Sequence, residues 1–68
     1  MTELEISIGG RIFSVACENE EQDKVKRAAA LINEEADSIQ AQLGRLPEAK
    51  LLLLSALMIA DRLVDVES

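Results

Sequence analysis

The sequence predicts a small α+β domain in which an N-terminal β-hairpin is followed by two α-helices. Three observations predict this fold class: apolar alternation on both sides of a Gly-Gly pair, a heptad-like apolar stripe, and a run that is apolar on every side. A chain of 68 residues is long enough for one small domain. We therefore expect residues 1–68 to form a single unit, with the hairpin at 3–17 and helices at 19–44 and 47–67.

The first element is a hairpin that turns at Gly9-Gly10, a pair that tolerates the positive φ angles of a two-residue loop. With these glycines as the loop, Ile8 pairs with Arg11, and the alternation gives the hairpin one apolar face. That face consists of Leu4, Ile6, Ile8, Phe13 and Val15. Arg11 lies at its rim, where the aliphatic stem packs and the charge stays in water. An isolated hairpin is unstable, so we expect this face to rest on helices.

The first helix is expected to start with Asn19 as its N-cap, because Gln22 follows three residues later in capping-box spacing. Apolar side chains then recur at steps of three and four, as on one buried helix face. These are Val25, Ala29, Ile32, Ala36, Ile39, Leu43 and Leu46. The opposite face, which we expect to be solvated, carries Lys26, Arg27, Asn33, Glu34, Asp37 and Gln40. Gly44 is expected to end the helix.

The second helix is expected to begin at Pro47, since proline is favoured at the first helical position. It contains the run from Leu51 to Ala60, in which Ser55 is the one polar residue. The run is too short to cross a membrane, which takes about 20 apolar residues. We expect one side to cover the hairpin and first helix, and the other to meet a second copy of the chain. The expected dimer interface is Leu53, Leu54, Leu57, Met58, Ala60 and Val64.

Composition excludes several functional classes. The chain has no histidine and one cysteine, so it cannot form an intrachain disulfide or a zinc site, and we expect no catalytic residue, cofactor or small-molecule substrate. It carries 13 acidic and 7 basic residues, and Phe13 is its one aromatic residue, which argues against nucleic-acid binding. An unpaired cysteine and an N-terminus without signal-peptide character predict a cytoplasmic protein.

Other chemical roles are less favoured. Cys17 has no neighbouring base and no activating positive charge, so a buried structural thiol is favoured over a redox or nucleophilic role. The turn at 9–11 lacks the further glycines, the lysine and the hydroxyl residue of a phosphate-binding loop. Glu34, Glu35 and Asp37 match no calcium-loop spacing, so a solvated helix face is favoured there. A generic small dimerisation or regulatory module remains as an alternative.

Three segments match the motifs of a known family in order and spacing. Residues 8–17, Ile-Gly-Gly-Arg-Ile-Phe-Ser-Val-Ala-Cys, follow the pattern I-x-G-R-x-(F/Y/L)-x-V-x-C. Residues 28–34 resemble A-A-x-x-(L/V)-(N/D). Residues 54–63 resemble (I/A)-A-A-L-N-(I/L)-x-x-E-L, and among their departures Met58 stands where many members have asparagine. These patterns belong to the ZapA cell-division family, which the chain resembles over about residues 5 to 64.

The resemblance implies a non-enzymatic protein that binds the tubulin-like GTPase FtsZ and cross-links its filaments at the division septum. It also implies a homodimer, a tetramer of two dimers, and a C-terminal helix that continues as a coiled coil. Arg11 stands at the position of the family's filament-binding arginine, and Arg45 and Glu48 lie in its charged interhelical link, each about one residue from the usual positions. Since the chain stops at Ser68, we expect a head fragment or a short family variant.

Overall fold

The computed structural model of the protein describes residues 1–67. The elements are β1 (Thr2–Ile8), β2 (Arg11–Cys17), a 3₁₀ turn (Asn19–Glu21), α1 (Gln22–Leu43) and α2 (Glu48–Glu67). The two strands form an antiparallel sheet, and the two helices follow it in the chain. This arrangement confirms the predicted fold class, an α+β fold with a hairpin followed by two helices.

The hairpin has the register that the sequence predicts. Ile8 pairs with Arg11, Ile6 with Phe13, and Leu4 with Val15. Gly9 and Gly10 both have positive φ, at 61° and 83°, which is the geometry of the two-residue loops that match the twist of a hairpin. Burial alternates along both strands, and the apolar face is the covered one. The Gly9-Gly10 turn and the alternation of apolar and polar residues along both strands therefore account for the hairpin.

The start of α1 differs from the prediction. Asn19–Glu21 form a 3₁₀ turn, and α1 begins at Gln22 with Glu21 as its N-cap residue, without a side-chain cap. The carbonyl oxygen of the Asn19 side chain instead accepts a hydrogen bond from the Thr2 hydroxyl. The predicted cap at Asn19 is therefore wrong, because this side chain joins the N-terminal strand to the start of the helical region.

The ends that face each other across the interhelical link are close to those predicted. Gly44, with φ of 79°, ends α1, and its N–H donates to the Gln40 carbonyl at 2.9 Å. α2 begins at Glu48, one residue after the predicted start at Pro47. The Pro47 carbonyl accepts a hydrogen bond from the Leu51 N–H at 3.0 Å. The first N–H groups of a helix have no partner within the helix, so proline, which lacks an N–H, loses no hydrogen bond at this position. Its fixed φ angle also sets the direction in which the chain enters α2.

The core is small and lies where the hairpin turn meets the two helices. Ile8, Ala36 and Leu51 form its buried centre. Partly buried side chains surround them: Ile6, Phe13, Ile32, Ile39, Leu46 and Leu52. The molecule measures 35 × 33 × 15 Å, so it is a thin, flat body. A body this thin cannot enclose a larger core.

The sheet rests on α1, and α2 packs along α1. α2 reaches the hairpin through Leu51 at its N-terminal end, so the expectation that α2 covers the hairpin face is wrong for most of its length. Ser55 is fully buried one turn later, and its hydroxyl donates to the Leu51 carbonyl at 2.8 Å. The one polar residue in the apolar run therefore lies at the most enclosed part of α2, with its hydroxyl bonded to the helix itself.

Candidate functional site

One end of the molecule brings the hairpin turn next to the interhelical link. We call this the turn–link end, and it comprises residues 9–11 and 44–50. The positive φ angles of Gly9 and Gly10 close the hairpin at this point, and Gly44 ends α1 beside it. Two segments that are distant in sequence thus form one surface.

Arg11 connects the two segments. Its Nη2 atom donates a hydrogen bond to the Leu46 carbonyl at 2.6 Å, and the side chain is half-buried. A guanidinium group has five N–H donors, so this bond leaves donors for an acceptor on another molecule. Arg11 was expected at the rim of the apolar face, and the structure places its charged group against the link.

The other two residues expected at this surface, Arg45 and Glu48, are both exposed. Arg45 directly precedes Leu46, whose carbonyl binds Arg11, and Glu48 is the first residue of α2. Lys50 adds an exposed positive charge in the same turn. Arginine and lysine therefore outnumber the single glutamate at the turn–link end, although the whole chain has a net charge of −6.

Asn33 and Gln40 also belong to this end, although the sequence interpretation placed them on a solvated face. The Asn33 Oδ1 atom accepts the Gly9 N–H at 2.8 Å, and the Gln40 Nε2 atom donates to the Gly9 carbonyl at 3.4 Å. Both side chains are half-buried. One signal could have found them: they are the uncharged amides of that face, and they stand seven residues apart, which is about two helical turns.

The second candidate surface is α2, where most of the expected interface residues are open to solvent. Leu53, Leu57, Met58 and Val64 are 59%, 55%, 49% and 59% exposed. Leu54 is half-buried and Ala60 is exposed. The chain therefore leaves much of the apolar run uncovered.

Four of these six residues line two shallow grooves on the helix pair, and Leu53 and Val64 line neither. The first groove contains Leu54, Leu57 and Met58 and is also lined by Glu35, Ser38, Ile39, Gln42 and Leu43. The second groove contains Ala60 and is also lined by Ala28, Leu31, Ile32, Ala56, Ile59 and Leu63. The expected interface residues thus do not all share one groove.

Sequence reasoning missed three apolar residues of these grooves. Leu43, which was assigned to the buried stripe of the first helix, is 63% exposed and lines the first groove. Leu31 and Leu63 are 48% and 61% exposed and line the second groove. The sequence alone does not show whether an apolar helical residue will be buried or exposed. The exposure of these three side chains depends on how the two helices pack against each other.

The solvent-accessible surface of the chain is larger than that of a compact monomer of the same mass. The chain exposes 5045 Å². A compact monomer of 7.4 kDa is expected to expose about 4,200 Å². The difference, about 800 Å², is close to the area that one partner buries in a standard protein interface.

Other chemistry has little support within the described residues. Across residues 1–67, no group of His, Cys, Asp or Glu side chains comes together that could hold a metal ion. Cys17 is a half-buried free cysteine at the end of β2. Neither α1 nor α2, as far as Glu67, is both long and apolar enough to span a membrane.

A family model described as cell division protein ZapA matches residues 4–68. The chain belongs to the ZapA family. The match covers nearly the whole sequence, including the turn–link end and the apolar surface of α2. No curated protein matches the chain significantly.

Membership of the ZapA family makes this a cell-division protein of a family that interacts with FtsZ. ZapA proteins are non-enzymatic division adaptors that act in the cytoplasm. The expected resemblance is therefore confirmed, and the cell-division and septation functions that it implied are supported at the level of the family.

Proposed function

We propose that this protein is a scaffold that self-associates through α2 and binds and bundles FtsZ filaments at the division septum. In this proposal residues 1–68 act as one head domain without catalytic activity. The observation that carries it is the presence of two chemically different surfaces on one small body. The charged end is organised by the bond from Arg11 to Leu46, and exposed apolar side chains follow it along α2.

The turn–link end is the proposed filament-binding surface, with Arg11, Arg45 and Glu48 as its contact residues. Arg45 and Glu48 are exposed, and Arg11 retains donors beyond the one that binds Leu46. The excess of positive charge at this end favours an acidic surface on the filament. Contacts between exposed charges are screened by salt, so filament binding should weaken as ionic strength rises.

The apolar surface of α2 is the proposed dimer interface, with Leu53, Leu54, Leu57, Met58, Ala60 and Val64 as its residues. Monomeric proteins rarely leave so many large apolar side chains of one helix exposed. The excess of about 800 Å² over a compact monomer is close to the area that each partner buries in a standard interface. Pairing would remove this surface from water and stabilise a body whose own core is small.

Self-association would turn a binding protein into a bundling protein. A symmetric dimer presents two copies of the turn–link end, because a two-fold axis repeats every surface outside the interface. Two linked sites hold a polymer with much higher avidity than one, and they join two filaments when their geometry prevents both from reaching the same filament. A tetramer of two dimers would add further sites.

Cosedimentation with polymerised FtsZ tests the proposal. We expect the wild-type chain to pellet with the polymer, and Arg11→Glu and Arg45→Glu to pellet much less. Arg45 is exposed, so its variant tests the surface with little cost to folding. Arg27→Glu makes the same charge change at an exposed site on α1 outside the turn–link end and should pellet like wild type.

Each outcome of this experiment has a definite meaning. A wild-type chain that stays in the supernatant would leave a generic dimerisation module as the better description. Equal pelleting of Arg11→Glu and wild type would remove Arg11 from the binding surface. Equal losses for Arg27→Glu and Arg45→Glu would indicate an effect of net charge and not of the turn–link end.

A further inference from the structure

The turn backbone lies directly against both helices at Gly9. A Cβ atom at this position would come within 2.8 Å of the Leu51 Cδ2 atom and 3.1 Å of the Gln40 Nε2 atom. Real Cβ atoms essentially never come within 3.0 Å of another atom, so a methyl group at Gly9 would have to displace the buried end of the Leu51 side chain. The neighbouring Gly10 has open space where a Cβ would be.

Two amide side chains of α1 hold the polar groups of Gly9. Asn33 accepts its N–H at 2.8 Å, and Gln40 donates to its carbonyl at 3.4 Å. The bond to Asn33 has the shorter, more favourable length. Because both ends of one residue are held, the turn is fixed in direction as well as in position.

The direction of the turn determines where Arg11 can reach. Arg11 is the first residue of β2, two residues after Gly9, and its guanidinium bonds to the Leu46 carbonyl at 2.6 Å. A turn that rotated away from α1 would carry the start of β2, and with it the Arg11 side chain, away from the link. The bond from the Gly9 N–H to Asn33 thus supports the bond from Arg11 to Leu46.

We propose that Asn33 is a positioning residue for the turn–link end, which acts through Gly9 to hold Arg11 beside the interhelical link. Gln40 assists it from the other side of the same glycine. This inference rests on the proposed function, because the surface that Asn33 organises is the proposed binding surface for FtsZ. It assigns a role in partner binding to an amide on α1 that need not touch the partner.

The test compares the affinity of Asn33 variants for polymerised FtsZ by cosedimentation at one salt concentration. We expect Asn33→Ala to bind about fivefold more weakly, the factor that corresponds to one hydrogen bond of ordinary strength. Asn33→Asp keeps an oxygen acceptor for the Gly9 N–H but adds a negative charge to the turn–link end, so it should bind more tightly than Asn33→Ala and more weakly than wild type. Gln22→Ala truncates a half-buried amide at the start of the same helix, outside both proposed surfaces, and should leave the affinity unchanged.

A double-mutant cycle with Arg11→Ala separates positioning from a general effect on the fold. If Asn33 acts through Arg11, Asn33→Ala should cause little further loss once Arg11 is truncated. Additive losses in the double variant would overturn the inference. So would a folded Asn33→Ala with wild-type affinity, or an Asn33→Asp that binds as weakly as Asn33→Ala.

Folding of each variant is checked by helix content in circular dichroism. Should Asn33→Ala not fold, Gln40→Ala removes the longer bond to the same glycine and takes its place in the cycle. Wild-type affinity of folded Gln40→Ala would then overturn the inference. A wild-type chain that does not bind FtsZ would overturn the proposed function and this inference together, whereas the variant outcomes above overturn the inference alone.

Discussion

The guanidinium of Arg62 on α2 donates a hydrogen bond to the carboxylate of Glu35 on α1, and the two side chains form an ion pair. The Glu35 side chain is 9% exposed, whereas that of Arg62 is 61% exposed. A nearly buried carboxylate is therefore held by a cation that reaches it from the solvent. The interpretation of Glu35 as part of a solvated face is wrong, and the pair joins the far end of α2 to the middle of α1.

Removing Arg62 should destabilise the protein by leaving a buried carboxylate without its partner. We expect Arg62→Ala to lower the free energy of unfolding by about 1–2 kcal/mol, between the values for an exposed ion pair and for a hydrogen bond to a buried charge. Arg27→Ala, which truncates an exposed arginine on α1, should change it by less than about 0.5 kcal/mol. Urea unfolding followed by circular dichroism at one protein concentration measures both. Equal stability of the two variants would contradict a structural role for the pair.

Alanine at Gly9 should be more harmful than alanine at Gly10. Both positions have positive φ, so each substitution carries a backbone strain of about 1–2 kcal/mol. At Gly9 the new methyl group would also meet Leu51 at 2.8 Å, and crowding in a packed site adds about 1–3 kcal/mol. Thermal and urea unfolding of the two variants should therefore differ by this second amount. Equal losses would mean that the turn moves away from the helices freely.

Ser55 should tolerate a small replacement but not a large one. Its side chain is fully buried, and its hydroxyl bonds to the Leu51 carbonyl in the same helix. Ser55→Ala should change the free energy of unfolding by less than about 1 kcal/mol, since the lost bond is local and the volume is nearly kept. Ser55→Leu should destabilise the protein by about 1–3 kcal/mol, because extra carbon atoms do not fit a closed site. A Ser55→Leu variant as stable as wild type would show that this part of the helix pair is open.

A charge in the first groove should dissociate the proposed dimer. We expect the wild-type chain to have at least twice the 7.4 kDa mass of one copy in solution, and Leu57→Asp or Met58→Asp to have the mass of one copy. Ile12→Asp is the matched control, since Ile12 is 71% exposed on the outer face of the hairpin. Sedimentation equilibrium distinguishes these masses. A monomeric wild-type chain would contradict self-association through α2.

Local rules in the sequence determined the secondary structure of this protein. The alternation around Gly9-Gly10 specifies the hairpin and its register, because successive side chains of a strand point to opposite faces. The apolar stripe specifies α1, and Gly44 and Pro47 specify the break between the helices. The motifs at the turn and on the helices were also sufficient to indicate the family.

Only the tertiary structure decided which polar side chains of α1 bond to other elements of the fold and which face solvent. Asn33 and Glu35 both looked like members of a solvated face, yet one binds the turn and the other pairs with Arg62. Helical periodicity gives the angle of a side chain around its axis, but it does not say which element lies at that angle. The same holds for Leu43, an apolar residue of the predicted stripe that is exposed in the folded chain. The sequence thus determined the elements, and their packing decided which side chains remain free for a partner.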